Sequence, residues 1–171
     1  KEYSNNCITC TSQSKTFNLA GLQLSNIIIE NQEILTRLNT YLDNISLTTA
    51  NIFGIVGSEA AYNTGEEWLE ELIDYIEGNK KYVQDFFAKK FPMIKVIDIE
   101  GTYLLWVDFR SLGMEQEELS KFLVEEAKLW LNDGYIYGEE GSGFERINLA
   151  CPRSVLEKGL KQLEEALNDR I

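Results

Sequence analysis

The long helical pattern in the middle of this chain gives way at Pro92. Before it, apolar residues recur three and four apart. Ile34, Leu35, Leu38, Tyr41 and Leu42 do so between Asn31 and Asn44, and Phe53, Val56 and Ala60 between Thr49 and Tyr62. Trp68, Leu72, Ile76, Val83 and Phe87 continue the pattern toward Phe91. That spacing predicts three amphipathic helices. Thr64 with Glu67 reads as a capping box opening the long third one, and Gly78 weakens its middle by about 1 kcal/mol relative to alanine. After Pro92 the chain turns β-rich. Ile94 to Ile99 and Tyr103 to Phe109, separated by Glu100-Gly101-Thr102, predict an antiparallel hairpin. Glu115 to Leu131 returns to helical spacing with Leu119, Phe122, Leu123, Ala127 and Trp130 inward, and Asn132-Asp133-Gly134 reads as its stop. Tyr135 to Tyr137 and Glu145 to Cys151 read as strands around the loop 139–143. A last helix starts near Ser154, capped with Glu157, and buries Leu156, Leu160, Leu163 and Leu167. The fold class is therefore α/β, with a back part of α+β character in which helices cover a small, mostly antiparallel sheet.

Ahead of these helices, the β-prone run Cys7 to Thr11 leads into Ser12-Gln13-Ser14-Lys15, and Leu24 to Ile29 reads as a second strand or extended segment. A lysine at a strand end suits carbonyl chemistry when its amine is free, because the amine condenses to a Schiff base. Serine hydroxyls and exposed turn amides can hold a phosphate. An imine-forming amine beside phosphate donors is what pyridoxal 5'-phosphate requires. The same spacing also describes an ordinary surface turn with a solvated lysine.

The run Ser12-Gln13-Ser14-Lys15-Thr16-Phe17-Asn18-Leu19-Ala20-Gly21-Leu22-Gln23 resembles the cofactor-lysine segment of class I/II aminotransferases, and within them that of the cystathionine β-lyase (C–S lyase) branch. Gly143-Phe144-Glu145-Arg146-Ile147-Asn148-Leu149-Ala150-Cys151-Pro152-Arg153 resembles that branch's C-terminal signature. The resemblance covers essentially the whole chain. It implies that Lys15 bonds the cofactor aldehyde and then serves as general acid–base. Ser12 matches the phosphate-binding serine, and Ser14 assists it or shapes the turn. Arg146 matches the arginine that grips the substrate α-carboxylate, a task suited to a bidentate fork. Arg153 is the second candidate, or else a surface arginine near a helix start. Eight residues after the lysine many aminotransferases place an arginine that pairs with the phosphate. Gln23 stands there, which fits the lyase branch but forgoes a charge-assisted contact. Gly21 would permit close backbone approach, or is simply a loop glycine.

The resemblance further implies that residues 1–91 close a large cofactor domain and 92–171 form a small domain over the substrate. In the family the lysine lies past the middle of the polypeptide, so the chain reads as the C-terminal portion of a larger homodimeric enzyme. The acid facing the pyridine nitrogen, the aromatic over the ring and the glycine-rich phosphate turn all precede the lysine there, so this portion alone is expected to be inactive. The implied parent reaction is elimination on cystathionine or a related cysteine conjugate, giving pyruvate, ammonia and a thiol. An aminotransferase is the alternative, and a non-catalytic interaction module is a third if the gene encodes only these residues.

Composition narrows the partners. With 28 acidic against 16 basic residues the net charge is -12, which argues against nucleic acid and anionic membrane surfaces. There is no long apolar run and no signal-peptide pattern. Three cysteines, an odd count, favour a reducing cytoplasm. Cys7 and Cys10 stand three apart in a strand and so point to opposite faces, which does not favour a metal or redox pair. Without histidine the usual triads and His-containing zinc sites are excluded, and acid–base work falls to lysine, tyrosine or carboxylates. The expected partner is a small amino-acid substrate, with no metal.

Overall fold

The computed structural model describes residues 4–170. It divides into two compact units, one up to Glu71 and one from Leu72 onward. The boundary falls inside a long helix, α3 (Glu66–Lys90), ahead of Phe91, where the change of period lies.

In the first unit β1 (Ile8–Thr11) pairs antiparallel with β2 (Asn26–Ile29), Ile8 opposite Ile29 and Thr11 opposite Asn26. The lysine turn and a short 3-10 turn at Ala20–Leu22 connect them. Helix α1 (Gln32–Asn44) starts at Asn31, whose Oδ1 accepts from the amides of Glu33 and Ile34 at 2.9 and 3.2 Å. Helix α2 (Ile52–Thr64) is capped alike by Asn51, which accepts from Phe53 N at 3.0 Å. Each cap satisfies amides that a helix start leaves without partners. The expected capping box does not form. Thr64 is the last residue of α2, its hydroxyl donating back to Ala60 O at 2.8 Å, and Gly65 alone separates α2 from α3. Helix α3 carries Glu66 and Glu67 in its first turn and Lys89 and Lys90 in its last, the charge order that complements a helix dipole.

The second unit holds the main core. Its sheet runs in the order β3 (Lys95–Val96), β4 (Leu104–Asp108), β6 (Phe144–Asn148), β5 (Asn132–Asp133), all neighbours antiparallel. Leu105, Val107, Ile147 and Leu149 point to one side. There they meet Val83 and Phe87 of α3, Leu119, Phe122 and Leu123 of α4 (Gln116–Glu125), and Leu156, Leu160, Leu163 and Leu167 of α5 (Arg153–Asn168).

Five expectations are corrected here. Helix α4 ends at Glu125 rather than Leu131: Glu126 N and Ala127 N both bond Phe122 O, Lys128 adopts a left-handed φ of 55°, and Leu129 N returns to Leu123 O. Ala127 is buried as expected, but Trp130 lies beyond the helix and is 94% exposed. Asn132-Asp133 is not a helix stop but the edge strand β5, and 134–137 form a 3-10 turn rather than a strand. Finally, α5 begins at Arg153 behind Pro152 with no side-chain cap, so the Ser154–Glu157 start is displaced.

Candidate active site

The lysine turn is fastened through the residue between its two serines. Gln13 is buried at 1% exposure, and its Nε2 donates to Ser58 Oγ of α2. Phe17 N closes the turn on Gln13 O at 2.9 Å, and the Phe17 ring lies against Tyr62 (edge-on, 6.0 Å) and Trp68 (stacked, 6.1 Å). Two glycines make room for this packing. A β-carbon at Gly57 would stand 2.8 Å from Leu22 Cδ1, and one at Gly65 2.7 Å from Phe17 Cε1. Around Gly21 a β-carbon would meet nothing within 4 Å, so the expected close approach there is absent in this chain.

Within this frame Ser12 Oγ accepts from Ser14 N at 3.2 Å and donates to Leu24 O at 3.0 Å, a hydroxyl-bonded turn that bends the chain out of β1. Ser14 is half-buried. Lys15 is exposed and makes no ion pair among the described residues. An uncommitted primary amine one and three residues from serine hydroxyls fits a phosphorylated aldehyde. The amine suits its carbonyl carbon and the hydroxyls its phosphate oxygens.

In the second unit strand alternation puts Phe144, Arg146 and Asn148 on the face of β6 away from the core. Trp106 of β4 stands opposite Arg146 on that face, with its ring edge-on to Tyr137 at 5.4 Å and to Phe144 at 6.4 Å. Arg146 lies over the Tyr137 ring, Cζ 4.8 Å from its centre, and Nη2 donates to Asn132 Oδ1 at 2.9 Å. Its Nε is buried without a hydrogen-bond partner. Arg110, over Phe144 at 4.6 Å, is already committed to Asp108 through two bonds of 2.9 and 2.8 Å. The Arg110 guanidinium in turn holds the Asp108 carboxyl below its ordinary range. Arg146 therefore offers a held guanidinium with no carboxylate against it among the described residues.

Arg153 is differently employed. Its Nε donates to Asn79 Oδ1 at 2.8 Å, its backbone N to Tyr75 Oη at 2.7 Å, and its guanidinium lies over Tyr82 at 4.6 Å. Asn79, fully buried on α3, also donates to the carbonyls of Leu149 and Cys151 at 2.8 and 3.1 Å. Arg153 thus ties the start of α5 to α3.

Ser12, Ser14 and Lys15 thus share one turn of the first unit, and the two arginines sit on separate elements of the second. Sequence reading did not find Gln13, Ser58, Asn79, Asn132 or Tyr137. Each acts through a partner far along the chain. Only the placement of Gln13 between two serines was a local signal.

Residues 1–163 match the family described as aminotransferase class I and II. The chain belongs to this family. Among its family relatives, cystathionine beta-lyase PatB of Bacillus subtilis is 36% identical over 98% of this chain and 43% of its own length. Protein MalY of Escherichia coli is 37% identical over 92% of this chain and 40% of its own. The crystal structure of cystalysin from Treponema denticola, which contains a pyridoxal 5'-phosphate cofactor, superposes with a TM-score of 0.94 at 42% identity, covering 98% of this chain and 43% of that one. The fold is thus that of a pyridoxal-phosphate-dependent transferase. This family member spans less than half the length of the relatives it matches.

Proposed function

We propose that this chain supplies the lysine turn and the carboxylate-binding small domain of a pyridoxal-phosphate-dependent carbon–sulfur lyase acting on cystathionine or related cysteine conjugates. In this reading residues 1–91 complete the cofactor domain, 92–171 form the small domain, and the full-length protein works as a cytoplasmic homodimer. The observation that carries it is the uncommitted Lys15 amine in a hydroxyl turn of the first unit; by itself, the second unit supports it with an Arg146 guanidinium held and facing no carboxylate among the described residues. The kinship with PatB, a protein named cystathionine beta-lyase, favours sulfur substrates. The three cysteines are free thiols, which agrees with a reducing compartment.

Lys15 would hold the cofactor aldehyde through Nζ, the Ser14 hydroxyl would donate to its phosphate, and the Ser12 hydroxyl would do so by turning its one proton away from Leu24 O. The cofactor, when bound, supplies an electron sink for negative charge at the substrate Cα. Arg146 grips the substrate α-carboxylate with both forks of its guanidinium, fixing where the Cα–H bond points. Asn132 and Tyr137 keep that guanidinium from swinging. Lys15, its amine freed once substrate is bound, takes the Cα proton as general base. The Cα=Cβ bond then forms as the Cβ–S bond breaks, and the sulfur leaves as the thiol by taking the proton held on Lys15. Water completes the release of pyruvate and ammonia.

The family description also covers aminotransferases. One experiment separates the two chemistries. Full-length holoprotein is incubated with cystathionine and no added keto acid, and pyruvate is followed with lactate dehydrogenase. Steady pyruvate formation with one thiol per pyruvate is the expected result. Turnover only after a keto acid is supplied would assign an aminotransferase instead.

A further inference from the structure

Behind Arg146, on the core side of the same strand, lies a polar cluster the reaction above does not use. Glu145 is 1% exposed and faces inward between Val107 of β4 and Asp133 of β5, its register partners on either side. One oxygen, Oε1, is buried without a partner. Asp133 Oδ1 accepts from Ser120 Oγ at 2.5 Å and from Gln116 Nε2 at 3.3 Å, while Gln116 Oε1 accepts from Gly143 N at 2.7 Å. Gln116 and Ser120 both belong to α4. The groups around Glu145 are therefore one carboxylate from β5, a neutral amide and hydroxyl from α4, and an apolar side chain from β4. No cation among the described residues bonds Glu145 or Asp133.

A fully buried carboxyl beside a second, half-buried one cannot be ionised together with it at modest cost. One proton held on Glu145 lets it donate to Asp133 and turns a repulsion into a bond. Burial, followed by the Asp133 charge, pushes Glu145 up to about 8. The consequence reaches the other face of the sheet through β5. That strand has two residues, Asn132 and Asp133, in register with Arg146 and Glu145. Asn132 is the hydrogen-bond partner of Arg146. What fixes Asp133 thus fixes Asn132.

We propose that the Glu145–Asp133 pair positions Arg146 for the substrate carboxylate by pinning the two-residue strand β5, and that loss of the shared proton loosens the grip. The inference rests on the reading of Arg146 as the carboxylate-binding residue. Glu145 touches no substrate in this scheme; it is a positioning residue.

The test measures the dissociation constant of propionate, which has a carboxylate but no titrating amine, on the full-length holoprotein. Wild type, Glu145→Gln, Asp133→Asn and Arg146→Lys are compared from about pH 6 to about pH 9.5, a span that brackets the raised value of the buried acid. Wild type should weaken about five- to tenfold through the alkaline half, the worth of one net hydrogen bond. Glu145→Gln, which keeps a donor toward Asp133 without a proton to lose, should bind as wild type does at neutral pH and stay flat above it. Asp133→Asn removes the like charge and offers an amide donor to ionised Glu145, so the alkaline weakening should be lost there too; this variant also serves if Glu145→Gln fails to fold. An alkaline weakening of unchanged size and midpoint in both variants, or none in wild type, overturns the positioning role while leaving Arg146 in place. Arg146→Lys binding propionate as tightly as wild type at every pH overturns the reading of Arg146 itself.

Discussion

Replacing Asn79 with alanine removes one buried amide that serves three partners. Its Nδ2 holds the carbonyls of Leu149 and Cys151, and its Oδ1 holds Arg153 Nε. Leu149 is fully buried, so its carbonyl gains little from water once the amide is gone. A net hydrogen bond contributes about 1 kcal/mol, and an acceptor left unpaired in the interior costs about 1–3 kcal/mol. Alanine returns roughly 0.5 kcal/mol through better helix propensity. The sum is a loss of about 2–4 kcal/mol. Urea unfolding followed by circular dichroism at 222 nm, a wavelength that reads helix content, should show the midpoint falling with the slope unchanged. Asn79→Asp sharpens the test. It keeps an acceptor for Arg153 but turns a carboxylate oxygen toward two carbonyls, which raises the folded-state pKa of the new acid. A raised folded value means stability is lost as pH climbs past the unfolded carboxylate range, about 4, and regained in acid. If Asn79→Ala costs under about 1 kcal/mol, or Asn79→Asp matches wild type at neutral pH, then the amide donors do not hold β6 and α5 to α3 as argued.

Three further outcomes are expected. Lys15→Ala in the full-length protein should abolish the absorbance band of the lysine-bound cofactor together with elimination; a mutant that keeps the band would remove Lys15 from its role. Arg146→Ala should lower kcat/KM by about 30- to 1000-fold, equal to roughly 2–4 kcal/mol of lost carboxylate contact. Arg153→Ala should instead lower the melting temperature with a much smaller kinetic effect, and a reversed order would exchange their assignments. Between its ordinary value of 4.5 and about 8, Glu145 keeps in the folded chain a proton that the unfolded chain releases, so its contribution to stability falls as pH rises through that window. Glu145→Gln should flatten this slope by the order of a few kcal/mol across the window, read as melting temperature against pH by calorimetry.

What the sequence disclosed was local, and what it withheld was register. The helical stripes of α1 and α3, the hairpin across Gly101 and the serine–lysine turn each depend on neighbours a few residues apart. Their residue types therefore carry the signal. Alternation along β6 sufficed to put Arg146 and Asn148 on one face. It did not reveal that β5 would lie beside β6, because pairing Asn132 with Arg146 is settled by α4 ending early and the chain turning back. Lys128, an unexceptional helix residue, makes that turn with a left-handed backbone. The turn-like Asn132-Asp133-Gly134 drew the expected stop six residues too far along for a different reason. Gly134 is a glycine because the backbones of Gly141 and Phe144 press against it, not because it caps a helix. Gln13 and Asn79 were illegible for a related cause, since a buried amide is recognised by what surrounds it.

The exposed Trp130 gives the molecule an optical reporter of its own. An indole surrounded by water emits at the red end of its range and meets dissolved quenchers freely. Trp106, set edge-on between Tyr137 and Phe144, is partly shielded from both. A surface that seats on the segment around Trp130 strips solvent from one fluorophore and leaves the other two, Trp106 and the half-exposed Trp68, unaltered. The iodide-quenchable fraction of the emission, followed against protein concentration, therefore counts covered copies without any label being attached.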